Sequence, residues 1–437
     1  RSFNEKVPMK VFAWNKEREK DTVMTPMDSI KYSRQIMQSS FMAMDPVTGE
    51  IKAWVGGVNF KTFKYDHVNI NTKRQVGSSI KPLLYTQAME ERGFNENTEC
   101  ERVAQFFPGQ GWVPAGKGGK GGTISFASAL AFSDNYASAF VMKAVEPGPF
   151  EDFISRLNIP TDIGPHPSNA LGACDLSMYE MLWAYTIFAG RGFSTKPYYI
   201  SRIEDRNGNV IKRFDYSVNR KEAISEVTAY RMTRMMQGTV DFGTAKGLRA
   251  SLGVAEMGGK TGTTNDNSDA WFMGYTPQLE AGVWVGCDDR FIRLNKNDAR
   301  GYGGYAAKPI YEYFMKKVLG DKKLGYDKNA KFSKPENLDM DTYLSADPIN
   351  EHYDAEPGAE GSNVGAGPAS GYDILENNDL GPESKPLDDD AVKRDSVPKA
   401  VMPKRTDDPK IGDAQPADDK KKKGLLQKLF GKKNNGN

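Results

Sequence analysis

The sequence predicts an α+β domain whose first and last strands share one antiparallel sheet packed against a helical subdomain. Near the start, the apolar segments FMAMDP (41–46) and IKAWVGG (51–57) are separated by a turn-rich stretch, which is typical of a hairpin. Late in the chain, AWFMGY (270–275) and AGVWVGC (281–287) flank a second turn. Helical periodicity dominates the region between these two pairs of segments.

Apolar residues at helical spacing predict the individual helices. The clearest helix runs from Ser79 to about Glu91, with Pro82 in its first turn, where a missing N–H does no harm. The glycine-rich GKGGKGGT (116–123) is expected to be a loop, and Asn207–Gly208 is expected to be the turn of a hairpin. A short helix is expected through IKYSRQIMQ (30–38), with Asp28 or Ser29 as its cap. The remaining helices are expected at 124–132, 136–145, 150–157, 177–189, 222–237 and 306–320.

Composition divides the 437 residues into a polar lead-in at 1–27, the predicted domain at 28–323 and a low-complexity tail at 324–437. The tail buries too little apolar surface to offset chain entropy, so we predict that it is disordered. It ends in a basic amphipathic segment that suits contact with anionic lipid or an envelope protein, although a merely solubilising end is the preferred interpretation. The apolar residues of that segment are Leu425, Leu426, Leu429 and Phe430.

Bulk composition argues against several classes of protein. The 59 Lys and Arg residues nearly balance the 57 Asp and Glu residues, so no overall field favours a nucleic-acid partner. Cys100, Cys174 and Cys287 are widely spaced and suggest neither a zinc site nor a disulfide framework. No acidic or histidine cluster has metal-ligand spacing, so no metal is expected. Because no run of about 18 apolar residues occurs and the chain starts with Arg1, we expect a piece of a longer protein.

Three short motifs suggest chemistry: SSIK (78–81), SDN (133–135) and KTGT (260–263). Each motif alone is weak, because a serine is also an ordinary helix N-cap and KTG is an ordinary turn sequence. Their order and surroundings strengthen them. The first motif starts a helix, the second interrupts a helical pair and the third introduces a strand.

Ser78 and Lys81 form a chemically sensible pair. Positions three apart share one helix face, so the Lys81 amine is expected near the Ser78 hydroxyl. A serine hydroxyl needs a neighbouring base, and a lysine with the ordinary pKa of about 10.4 is protonated and cannot serve as one. Burial and a second cation, Lys260, would both lower the pKa of Lys81. Ser133 is a candidate to relay protons, and the helix N-terminus at Ser78 would favour negative charge on an acyl oxygen.

Histidine offers no alternative base. The chain contains only His67, His166 and His352, and none lies in a GxSxG elbow, so a Ser-His-Asp triad is not expected. We interpret His67 and His166 as surface or loop residues. His352 falls in the predicted tail.

In this order the motifs resemble those of penicillin-binding proteins and serine β-lactamases. The resemblance is to the transpeptidase domain of class A penicillin-binding proteins, from about Ser39 to Leu319, and it implies a β-lactamase/transpeptidase-like fold. The segments that carry it are MDPVTGEIKAWVGG, RQVGSSIKP, LAFSDNYASAF, LGACDLSMYEMLWAYTIFAGRGFSTKP and GGKTGTTNDNSDAWFMGYTPQLEAGVWVG.

The resemblance also implies catalytic roles. Ser78 would be the acylated nucleophile, Lys81 its general base and Ser133 the proton shuttle, while Lys260 would hold the substrate carboxylate. Asp134, the middle residue of its motif, would be structural.

Four further residues would bind substrate by the same resemblance. Asn135 would hydrogen-bond the donor peptide, and Thr261 would share the carboxylate with the lysine before it. The backbone N–H of Thr263 would complete the oxyanion hole with that of the nucleophile, and Gly262 lies between the two threonines.

The implied reaction is D,D-transpeptidation of peptidoglycan stem peptides, without a cofactor and with β-lactams as inhibitors. Family members act in the periplasm or on the outer face of the cytoplasmic membrane. Class A members also carry a membrane anchor and a glycosyltransferase domain ahead of this region. Neither is found in this sequence, so we expect both to precede it in a bifunctional protein.

Three alternatives stay open at the level of sequence. A D,D-carboxypeptidase or β-lactamase would use water in place of the acceptor amine, but we find no ExxLN-like loop between SDN and KTG. A non-catalytic sensor would bind β-lactams in the same pocket. A class B transpeptidase would carry a different domain upstream.

Overall fold

One antiparallel sheet organises the structure, a computed structural model that describes residues 2–216, 219–336 and 338. The strands are β1 Val7–Phe12, β2 Glu19–Met24, β3 Gln38–Met44, β4 Ile51–Val55, β5 Arg74–Gln75, β6 Glu99–Val103, β7 Gln105–Phe107, β8 Gly111–Val113, β9 Gly119–Ser125, β10 Asp175–Leu176, β11 Phe193–Thr195, β12 Arg202–Glu204, β13 Val210–Arg213, β14 Arg220–Glu222, β15 Gly258–Thr263, β16 Asp269–Tyr275 and β17 Glu280–Gly286. The helices are α1 Pro26–Arg34, α2 Lys81–Arg92, α3 Phe126–Ala131, α4 Asn135–Val145, α5 Pro147–Arg156, α6 Met178–Ala189, α7 Glu226–Asp241, α8 Leu248–Leu252, α9 Gly303–Ala306 and α10 Lys308–Gly320.

The central sheet has five strands in the order β15-β16-β17-β3-β4, and every neighbouring pair is antiparallel. In its register Val283 lies opposite Phe41, so the late strand β17 pairs directly with the early strand β3. The prediction that the first and last strands share one sheet is therefore confirmed.

Helices cover both faces of this sheet. Side chains alternate between faces along a strand, so Met42 packs into one hydrophobic core while Phe41 packs into another. The first core contains residues of α2, α4, α6 and α7, and the second contains residues of α8 and α10. Every residue of α6 is buried, and a capping box between Ser177 and Glu180 begins this helix.

Three local structures differ from the sequence predictions. The glycine-rich stretch is not simply a loop, because its second half is β9, which pairs with β6. The lead-in at 1–27 contains the strand pair β1 and β2, which we had not predicted. The helix predicted from Ser79 begins instead as a 3-10 turn, Gly77–Ile80, and becomes α-helical at Lys81.

Some expectations stay predictions. The domain limits at 27 and 323 are among them. The first part of the predicted tail is packed against the domain, because Phe332 contacts the first core and the Ala255 N–H donates to the Lys328 carbonyl oxygen. The tail predictions for 339–437 lie outside the described residues. Within the described ranges, no helix has both the length and the apolar character needed to cross a membrane.

Candidate active site

Ser78 lies in the 3-10 turn that leads into α2. The Lys81 N–H donates to the Ser78 carbonyl oxygen, and residues three apart eclipse one another in this geometry, so both side chains lie on one side of the turn. Ser78 is half-buried, whereas Lys81 is completely buried. Within the part of the chain that the structure describes, the Ser78 hydroxyl makes no hydrogen bond, so the predicted contact with the Lys81 amine is not a hydrogen bond in this structure.

The Lys81 amine is held instead by the SDN motif. It donates to the Ser133 carbonyl oxygen at 2.7 Å and to Asn135 Oδ1 at 2.7 Å. Two longer contacts, each 3.3 Å, reach Ser133 Oγ and the Asp134 carbonyl oxygen. All four acceptors belong to three consecutive residues, so the position of this tripeptide determines the surroundings of the amine.

The break between α3 and α4 shapes the SDN tripeptide. Asp134 is the N-cap of α4, and its Oδ1 accepts from the backbone N–H groups of Tyr136 at 2.9 Å and Ala137 at 3.0 Å. Ser133 has φ 58°, in the left-handed region, which costs a non-glycine residue about 1–2 kcal/mol. The expected structural role of Asp134 is thus visible in the cap that holds Ser133 in this conformation.

The KTGT motif forms the end of β15 and lies directly against the SSIK turn. Gly77 has φ 53°, and a Cβ placed on it would lie 2.6 Å from the Thr263 carbonyl oxygen. A Cβ on Gly262 would lie 2.8 Å from the Val76 carbonyl oxygen. Both positions therefore require glycine. The Thr263 nitrogen lies 3.2 Å from the same Cβ position on Gly77, so the two backbone segments expected to form an oxyanion hole are neighbours.

Burial lowers the pKa of both lysines. It lowers the pKa of Lys260 to about 7, and the Lys260 amine donates to the Thr261 carbonyl oxygen at 3.1 Å. Burial also lowers the pKa of Lys81 well below its ordinary value, and the charge of Lys260 acts in the same direction. The carboxylate of Asp134 opposes this shift, because its negative charge favours the ammonium form.

Several supporting contacts escaped the sequence analysis. Thr261 Oγ1 donates to Thr244 Oγ1 at 2.7 Å, and the Gly303 N–H donates to Thr263 Oγ1 at 3.0 Å. No sequence motif marks these partners, which come from the turn after α7 and from the start of α9.

Arg74 was also missed, although it lies just before the SSIK motif. It donates to Asp269 Oδ1 at 2.7 Å and to the carbonyl oxygens of Cys287 and Asp288. A buried arginine in this position ties the segment before Ser78 to strands β16 and β17. The sequence signal for this role was a single arginine close to the SSIK motif.

The histidines divide between two environments. His166 is exposed, as interpreted from the sequence. His67 is not a surface residue: it is buried, stacks on Trp284 at 4.7 Å and lies 3.1 Å from an Asp288 carboxylate oxygen. This contact lowers the pKa of Asp288.

Within the described ranges, the cysteines form no disulfide and the potential metal ligands form no metal site. Cys100, Cys174 and Cys287 are free and buried, and burial raises the pKa of the first two thiols to about 12. No group of three metal-ligating side chains occurs among the described residues.

Comparison with known proteins places this site in a family. The model of the penicillin-binding protein transpeptidase domain matches residues 39–316, and that of the penicillin-binding protein middle domain matches residues 1–37. Penicillin-binding protein 1A of Neisseria gonorrhoeae is 29% identical over 383 residues, which cover 85% of this chain and 46% of the relative. Penicillin-binding protein 1A of Rickettsia conorii is 32% identical over 316 residues, which cover 66% of this chain and 39% of the relative. The chain therefore spans about half or less of the length of these relatives.

Solved structures show the same fold. Penicillin-binding protein 1A from Haemophilus influenzae matches with a TM-score of 0.59 and 24% identity, covering 69% of this chain and 49% of that one. PonA1 from Mycobacterium tuberculosis, solved in complex with penicillin V, matches with a TM-score of 0.56 and 24% identity. The match covers 69% of this chain and 82% of that one. The predicted β-lactamase/transpeptidase-like fold is confirmed. The chain therefore belongs to the class A penicillin-binding proteins and carries their transpeptidase domain.

Proposed function

We propose that this chain cross-links peptidoglycan stem peptides as a D,D-transpeptidase, through an acyl-enzyme at Ser78. One observation carries the proposal: a fully buried lysine with a lowered pKa follows a half-buried serine by three residues and shares its side of the turn. A lowered pKa makes the neutral amine, the form that can act as a base, more accessible than it is in an exposed lysine.

Acylation would begin when Ser78 Oγ attacks the carbonyl carbon of the D-Ala-D-Ala amide and Lys81 takes the hydroxyl proton. The backbone N–H groups of Ser78 and Thr263 would stabilise the oxyanion. The amide C–N bond then breaks, and the leaving D-Ala amine receives a proton through Ser133. The proximity of Ser133 Oγ to the Lys81 amine, 3.3 Å, supports this route.

Deacylation would reverse these steps with a different nucleophile. An amine from a second stem peptide attacks the ester, gives its proton to the neutral Lys81 and forms the cross-link amide. The ester C–O bond breaks, and Ser78 Oγ regains a proton. Protons and bonds balance without a cofactor.

Lys260 and Thr261 would hold the terminal carboxylate of the donor peptide, and Asn135 would hydrogen-bond its backbone. A carboxylate beside Lys260 would favour its ammonium form, since an opposite charge raises the pKa of a lysine. β-Lactams carry a similar carboxylate and would be trapped as slow acyl-enzymes. Because stem peptides occur in the cell wall, we propose that the chain works in the periplasm or on the outer face of the cytoplasmic membrane.

The test is to incubate the wild-type protein and Ser78→Ala with a fluorescent penicillin, and then with a donor pentapeptide and an acceptor amine. The wild type should form a persistent adduct at Ser78 and should convert the peptides to a cross-linked product with release of D-Ala. Ser78→Ala should do neither while keeping its melting temperature, because only a partly exposed hydroxyl is removed.

Other outcomes would select the rival functions. Rapid conversion of penicillin to penicilloate would indicate a β-lactamase, and release of D-Ala without cross-linking would indicate a carboxypeptidase. Stable labelling without any reaction of peptides would indicate a sensor. Labelling that survives in Ser78→Ala would contradict the choice of nucleophile.

A further inference from the structure

Two cations outside the three motifs contact the carboxylate of Asp134. Arg102, on β6, reaches Asp134 Oδ2 with Nε and Nη2, both at 3.1 Å. Lys120, on β9, reaches the same oxygen at 3.2 Å. The Asp134 carboxylate is almost fully buried, and Arg102 is nearly so, whereas the Lys120 side chain is 48% exposed.

The glycine-rich sequence explains how β9 presents Lys120. Val103 pairs with Gly119 and Glu101 pairs with Thr123, so residues 120–122 bulge out opposite the single residue Arg102. Gly121 and Gly122 have φ 75° and 68°, and no atom would meet a Cβ on either. Glycine is therefore needed there for backbone conformation and not for close packing.

We propose that Arg102 and Lys120 are positioning residues for Lys81: they clamp the Asp134 carboxylate and thereby fix the oxygen atoms that hold the Lys81 amine. The argument has two steps. Asp134 Oδ2 takes the two cations while Oδ1 caps α4, so its carboxylate is bound from both sides. Every hydrogen bond described for the Lys81 amine is accepted by an oxygen atom of residues 133–135. This inference rests on the proposed function, because it concerns how the proposed general base, Lys81, is positioned.

Charge gives Lys120 a second effect on the same amine. The charged groups that face Lys81 are Lys260 from β15, Asp134 before α4 and Lys120 from β9, with Arg102 behind Asp134. Burial and Lys260 lower the pKa of Lys81, Asp134 raises it, and Lys120 lowers it further. Removal of Lys120 should therefore raise the pKa of Lys81, so that a higher pH is needed to make it a base.

The experiment compares wild type, Lys120→Gln, Lys120→Arg, Arg102→Lys and the control Lys117→Gln. Lys117 is exposed and lies on the same segment, where its amine lies 5.9 Å from the ring centroid of Trp112. The rate of acylation by a fluorescent penicillin is measured from pH of about 5 to 9. In parallel, NMR of protein labelled with 13C at the lysine ε-carbon follows the titration of Lys81, with Lys81→Met used for assignment.

We expect Lys120→Gln to move the acid limb of the rate profile and the Lys81 midpoint to higher pH together, slowing acylation on that limb roughly three- to tenfold. Lys120→Arg and Lys117→Gln should follow the wild type. Arg102→Lys keeps the charge but cannot bind Asp134 Oδ2 through two nitrogens, so it should lower the plateau rate severalfold.

Two results would overturn the clamp. One is a Lys81 midpoint and a plateau rate that equal those of the wild type in both Lys120→Gln and Arg102→Lys. The other is a rate loss that is equal at every pH and accompanied by a lower melting temperature, which would indicate a purely structural role. Wild-type protein that is never acylated would overturn the proposed function instead, while the NMR midpoint would still decide the clamp.

Discussion

Lys81 Nζ donates to Asn135 Oδ1 at 2.7 Å, joining residues that are 54 positions apart in the chain. This hydrogen bond brings the SSIK turn and the start of α4 into one site, and the adjoining β15 adds Lys260 to it. The base is therefore built by three separate segments, each of which can be tested alone.

Lys81→Met should abolish acylation without unfolding the protein. Methionine has a similar length but no basic atom, and loss of a general base lowers a rate by about 10²–10⁴. Stability should fall only modestly, because the acceptors left unpaired on residues 133–135 cost free energy while the desolvation cost of the buried amine is removed. Penicillin labelling and thermal melts check this result. The exposed Lys73→Met serves as control and should label normally; strong labelling of Lys81→Met would show that another group is the base.

Lys260→Gln should change the pH profile of acylation by a carboxylate-bearing β-lactam at both ends. In the wild type the rate should fall above pH of about 7, because the pKa of Lys260 is about 7 and its neutral form cannot hold a carboxylate. The variant should lose this alkaline limb. Its acid limb should move to higher pH, since Lys260 no longer lowers the pKa of Lys81.

The same experiment with a carboxylate-free analogue separates binding from proton transfer. In the wild type, only the carboxylate-bearing compound should show the fall in rate above pH of about 7. The same fall with the carboxylate-free analogue would mean that Lys260 acts in proton transfer.

Gly77→Ala should displace β15 and disable the site. Alanine at positive φ costs about 1–2 kcal/mol, and its Cβ would also lie 2.6 Å from the Thr263 carbonyl oxygen. A misplacement near 1 Å lowers rates about 100-fold. Gly93→Ala is a matched control, because Gly93 has φ 71° and no atom within 4 Å of its Cβ position. Both variants should lose stability in urea titrations, but only Gly77→Ala should lose acylation; normal acylation in Gly77→Ala would argue against the oxyanion hole.

Glu280→Gln should change how stability depends on pH. Burial raises the pKa of Glu280 well above its ordinary value, and neither carboxylate oxygen has a hydrogen-bond partner among the described residues. The unfolded chain releases this proton near pH 4.3, whereas the folded chain keeps it, so the wild type loses stability as pH rises above that point.

Urea unfolding at several pH values measures the effect. Between the unfolded and folded pKa values, the free energy of unfolding of the variant relative to wild type should rise by about 1.4 kcal/mol per pH unit. Glu222 is exposed, so the free energy of unfolding of the control Glu222→Gln should depend on pH as that of the wild type does. If the free energy of unfolding of Glu280→Gln also follows that of the wild type at every pH, Glu280 is ionised in the folded protein.

Local patterns predicted a large part of the architecture. Alternation and turn chemistry located the strands of the central sheet, and helical periodicity located α2 through α7 and α10, because both signals depend on residues that are close in sequence. The strand β9 was missed since glycine and lysine lack strand propensity, and its bulge is stabilised by pairing with β6. His67 was assigned to a surface or loop because no local pattern signals stacking on Trp284.

By itself, the sequence determined the order of the three motifs, their places on a turn, a helix start and a strand, and the choice of a lysine base in a chain with three histidines. Only the tertiary structure decided which form that lysine takes. Its pKa depends on burial and on Lys260, Asp134 and Lys120, which lie far away in sequence and meet only in the fold. Electrostatic energies depend on distance in space and on exclusion of water, and neither quantity can be read from neighbouring residues.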